Sequence, residues 1–62
     1  MKIKPEVDMK ELLKNWPETD TYYKITGPFD EFCIVDKKTR EVTQYGYGLL
    51  CLDWINEGIA EE

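Results

Sequence analysis

The chain has 62 residues, with thirteen acids, eight bases and no histidine, for a net charge of −5. That length holds one domain, which buries only about 60% of the surface its unfolded form exposes, so its core is marginal. The charge is repelled by phosphate backbones and anionic membranes, which argues against nucleic-acid and membrane partners. A hydrophobic share of 42%, with two Trp, four Tyr and two Phe, excludes a disordered chain.

The opening Met-Lys-Ile-Lys-Pro-Glu lacks the apolar stretch of a secretory signal. No apolar run is longer than that of Leu49 to Leu52, which falls far short of the ~20 residues of a membrane span. The first organised signal is Val7-Asp8-Met9-Lys10-Glu11-Leu12. There Asp8 and Glu11 form a capping box, and Val7 and Leu12 a hydrophobic staple. Met9, Leu12, Leu13 and Trp16 follow at helical spacing, and Pro17 predicts an end near Asn15.

Residues 19–26 are rich in β-branched and aromatic side chains, and alternation places Thr21, Tyr23 and Ile25 opposite Tyr22 and Lys24. Gly27-Pro28-Phe29-Asp30 is turn chemistry. Residues 31–35 form a second strand, apolar on both faces and therefore central. A loop opened by Asp36 leads to a third strand over 41–45, completing an antiparallel meander. A second helix is predicted from Leu49 to about Glu57, with Gly58 as its C-terminal cap. On a helical wheel Cys51, Leu52, Ile55 and Ile59 form its core stripe, leaving Leu50 and Trp54 on another side. The final Ala-Glu-Glu is expected to fray. The order predicts one α+β domain over residues 1–62: a short N-terminal helix, a three-stranded antiparallel meander and a C-terminal helix packed on the sheet. Whether the helices share a face is left open.

The residue inventory argues against catalysis. Without histidine there is no ordinary general base, and Asp30 and Glu31 are adjacent, so in an extended chain their side chains diverge. Two cysteines without histidine make no zinc site and no dense disulfide framework, so a reducing cytoplasm is the expected compartment. Cys33 and Cys51 are read as buried thiols, with a redox staple as the alternative. Tyr22, Tyr23, Tyr45 and Tyr47 read as cross-strand packing ahead of a base-stacking groove, because only Lys24 lies near them. Lys37, Lys38 and Arg40 read as a solvated tip ahead of a dock for an acidic partner.

The expectation is therefore a non-catalytic protein-binding module without metal or cofactor. An inhibitor, or an antitoxin-like or virus-encoded protein that neutralises a macromolecular partner, fits its size and charge. Its binding residues are expected to be Leu50 and Trp54 as an apolar anchor, with Asp30, Glu31, Asp53 and Glu57 as the acidic rim. The alternative is a structural homodimer or assembly subunit that self-associates through Leu50 and Trp54 or through an edge strand.

Overall fold

The computed structural model describes residues 1–48 and 50–62, and the predicted helix start at Leu49 lies outside the described residues. The elements are β1 (Lys2–Ile3), α1 (Met9–Leu12), β2 (Tyr22–Thr26), β3 (Phe32–Asp36), β4 (Val42–Tyr45), α2 (Asp53–Asn56) and β5 (Ala60–Glu61). The α+β architecture and the antiparallel meander β2-β3-β4 are as expected, with β3 central.

Local side-chain chemistry explains where the elements begin. Asp8 caps α1, its Oδ1 accepting from the amides of Lys10 at 3.1 Å and Glu11 at 3.3 Å. Only this half of the capping box forms, because Glu11 accepts from Lys14 Nζ at 2.9 Å instead. Regular helix stops at Leu12, and residues 13–15 continue as turn. The first meander strand starts at Tyr22 instead of Thr19. Thr19 Oγ1 accepts from the amides of Thr21 and Tyr22, and this local turn displaces the ladder.

The inward face of the meander carries Tyr23, Ile25, Cys33, Val35 and Val42, all buried. Met9 and Leu13 from the α1 segment and Cys51 from the approach to α2 share that core, with Leu12, Leu50 and Trp54 packed against it. Both helical segments therefore cover one face of the sheet. The other face carries Tyr22, Lys24, Phe32, Ile34, Thr43 and Tyr45, none of them buried. On it Phe32 and Tyr45 stack with centroids 4.8 Å apart, and Lys24 Nζ lies 4.7 Å from the Phe32 centroid.

The C-terminal third departs from its expected form. The helix is a single turn, Asp53–Asn56, preceded by turn residues 50–52. The 100° spacing therefore does not extend across Cys51 to Ile59, and the wheel fails. Cys51 is buried as expected, but Leu52 and Ile55 are exposed, while Leu50 and Trp54 pack against the core. Gly58 does cap the helix, with φ +77°. Its amide donates to Ile55 O at 3.2 Å and the Ile59 amide to Trp54 O at 2.8 Å, a Schellman motif.

That motif turns the chain back, so the tail pairs where fraying was expected. Lys2 faces Glu61 and Ile3 faces Ala60 in a two-stranded antiparallel sheet. Its other edge reaches the meander through a Lys2–Glu41 bridge and the Val42 amide, which donates to Met1 O at 2.8 Å. Ile3 and Ala60 are each 2% exposed, and the burial of these two residues favours the pairing.

Candidate functional site

The two ends of the meander are closed by different means. At the β3–β4 end Asp36 Oδ1 accepts from the amides of Lys38 and Thr39 at 2.8 and 2.9 Å, and these amides hold its carboxyl below the usual range. Lys37 pairs with Glu18 at 3.0 Å, which lowers the Glu18 pKa, and lies over the Tyr23 ring. The Arg40 guanidinium donates to Lys4 O at 2.8 Å and to Val7 O at 2.7 Å. These contacts tie the segment ahead of α1 to the hairpin. Arg40 and Lys37 are thus engaged within the fold, and only Lys38 of the basic tip is exposed without a charged partner among the described residues.

The opposite end is built around Glu31, which is 4% exposed. Its Oε2 accepts from the Phe29 amide at 2.9 Å, and its carbonyl accepts from the Gly27 amide at 2.9 Å. Three glycines leave room for it. A Cβ at Gly48 would lie 2.7 Å from Glu31 Cγ, one at Gly46 would lie 2.9 Å from Glu31 Cα, and one at Gly27 would lie 2.6 Å from Leu50 Cδ2. Gly46 also holds φ +90°, a conformation that L side chains strongly disfavour. The 27–31 turn and the 46–48 exit from β4 therefore close over one buried carboxylate.

From this braced end two aromatic side chains project. Phe29 is 81% exposed and Tyr47 fully exposed. Each sits on one of the two loops that meet at Glu31. The Phe32–Tyr45 stack forms the last rung of the sheet before those loops. The result is a set of exposed rings on short loops that both pack against Glu31. Binding is the chemistry such an arrangement supports, because exposed rings offer large contact area with little conformational entropy to lose.

The predicted site residues are distributed as follows. Glu31 is buried and is therefore not a rim acid; its burial follows from Gly27 in its own turn and from Gly46 and Gly48, which lie beyond β3 and β4 in the sequence. Asp30 is exposed beside it, in the turn, with φ +62°. Leu50 and Trp54 are half-buried against the core and do not form the open anchor that was expected. Asp53 is exposed at the start of α2 and Glu57 at its C-cap. Structure thus brings Asp30, Glu31 and Leu50 to the glycine end and leaves Asp53, Trp54 and Glu57 on the C-terminal segment. Sequence reasoning placed Phe29 only in a turn. The signal was present: a ring at the tip of Gly-Pro-Phe-Asp has little chance of reaching a core.

A second apolar surface lies beside α2. Leu52 and Ile55 are 51% and 37% exposed and border a groove of about 400 Å³ with Met1, Val42, Gln44 and Glu62. In the core, Cys33 Sγ and Cys51 Sγ are 3.6 Å apart, and both are free thiols. Burial pushes both thiols up, Cys51 to about 12. Among the described residues no helix is long and apolar enough to cross a membrane, and no three metal-ligating side chains converge. Compared with protein-family models, curated proteins and solved structures, the chain matches none of them.

Proposed function

We propose that this chain is a small acidic, non-catalytic protein-binding module that engages a macromolecular partner through the glycine end of its sheet. The observation that carries this reading is the exposure of Phe29 and Tyr47 on two loops that both pack closely against buried Glu31. A ring held in solvent adds nothing to the stability of a marginal domain, and aromatic residues are among the commonest anchors of protein interfaces. Exposed Asp30 beside the rings and the net charge of −5 favour a basic face on the partner. An intracellular inhibitor or antitoxin-like protein is the form of such a module that size and charge support.

The test is affinity capture from a cell extract with the wild-type chain and the Phe29→Ala/Tyr47→Ala double variant, both shown to be folded by circular dichroism. Loss of a specific captured protein from the double variant supports the reading. Retention of the same proteins on both baits contradicts it.

The exposed Leu52 and Ile55 favour a second reading, self-association through the α2 face. It replaces the Leu50 and Trp54 version of the homodimer, because those two side chains already pack inward. Sedimentation equilibrium over a wide concentration range separates the readings. A dimer that Ile55→Lys dissolves supports self-association, and a monomer throughout removes it.

A further inference from the structure

The binding reading leaves the two thiols unused. Cys33 lies mid-strand in β3, wholly buried and flanked in register by Ile25 and Gln44. Cys51 is 2% exposed and lies in the turn ahead of α2, where no ladder holds the backbone. Their Sγ atoms stand 3.6 Å apart, and a disulfide needs ~2.05 Å, so closing the gap takes a shift of only about 1.5 Å. Because Cys33 is fixed on both sides, Cys51 is the member that moves. The two are the only cysteines in the chain, so no competing intramolecular pairing exists.

We infer that Cys33 and Cys51 form a reversible redox staple, oxidised by a small-molecule disulfide of the glutathione class, that pins the C-terminal segment to β3. The inference stands apart from the binding reading. Deprotonated Cys51 attacks one sulfur of the oxidant, forming a mixed disulfide and releasing the other half as a thiolate, which takes up the displaced proton. Cys33 then attacks the Cys51 sulfur, forming the protein disulfide and expelling the second half, which leaves as a thiol carrying the Cys33 proton. Two electrons pass from the protein thiols to the sulfur–sulfur bond of the oxidant.

Burial keeps both groups as thiols in the closed form, so exchange requires local opening of the segment around Cys51. The pair therefore responds to sustained oxidising conditions more than to brief ones. Once formed, the bond ties the turn ahead of α2, and with it the approach to β5, to the central strand.

The reduced chain is incubated in glutathione buffers of graded ratio, quenched by alkylation, and read by intact mass and thermal melting. Loss of two hydrogens without adduct, with a rise in Tm of roughly 10 °C, is the expected result. Trypsin cuts at Lys37, Lys38 and Arg40 between the cysteines, so peptide mapping then shows a Cys33–Cys51 cross-linked pair. Cys33→Ala takes up one glutathione at Cys51, Cys51→Ala leaves the strand-held Cys33 largely unmodified, and neither shows such a rise. If either variant fails to fold, the wild-type mass and map still decide. Glutathione adducts that persist as the end product, or covalent dimers, on the wild type would overturn the inference. So would persistence of both thiols where an unstructured control dithiol peptide is oxidised, or an oxidised form that melts no higher.

Discussion

The Asp36–Glu41 end of the meander is closed by charge, and the opposite end by missing side chains. At the first, one carboxylate gathers two amides and one guanidinium gathers two carbonyls, so its polar groups are largely satisfied within the fold. At the second, three glycines fold around a buried carboxylate, and the rings that flank it are left in solvent. Both ends are ordered by hydrogen bonds, but only one has apolar surface to offer. Satisfied charge stabilises without inviting a partner, whereas apolar surface displayed on a stiff frame is what an interface uses.

Substitutions break this contrast in order of expected size. Gly46→Ala adds a methyl against the Glu31 backbone at a φ of +90° and is expected to lose about 3 kcal/mol in urea denaturation. For a domain this small that is a large share of the total. Arg40→Met keeps much of the stem but leaves the Lys4 and Val7 carbonyls without their charged donor, with an expected loss of about 2 kcal/mol. It should loosen the segment ahead of α1 and leave the glycine end intact, as amide exchange would show.

Acid distinguishes the ends more gently. The Asp36 and Glu18 carboxyls are held below their ordinary values of 3.8 and 4.5. Their stabilisation is therefore complete above those values and is lost as pH falls through the lower folded ones. A melting temperature followed downward from pH 6 should begin to fall near those ordinary values, and Asp36→Asn should reduce the slope. The smallest stability effect is expected for Phe29→Ala and Tyr47→Ala, each within about 0.5 kcal/mol of wild type. A loss above about 1 kcal/mol for either would mean that the ring packs on the fold and is not held out for a partner.

The same contrast shows what was legible in the sequence. Asp8 and the three strands could be read because a cap is local and strand alternation survives even in short strands. The C-terminal third could not. A one-turn helix does not sustain a wheel, and Leu50 is placed by Gly27 while Ala60 is placed by Ile3, contacts 23 and 57 positions away. Glu31 resembled a surface acid because each of its three glycines looked like an ordinary turn residue when taken alone. Phe29 and Tyr47 were exposed by the geometry of those same turns, so the site shared the illegibility of its frame.

The central claim is that Glu31 braces the loops that present the rings, and amide hydrogen exchange at Phe29 tests it most directly. In the wild type this amide, bonded to Glu31 Oε2, is expected to exchange well below the rate of an unstructured peptide. In Glu31→Ala it should approach that rate, while the Lys38 and Thr39 amides at the charged end keep their protection. An unprotected Phe29 amide in the wild type, or equal protection in the variant, would contradict the account.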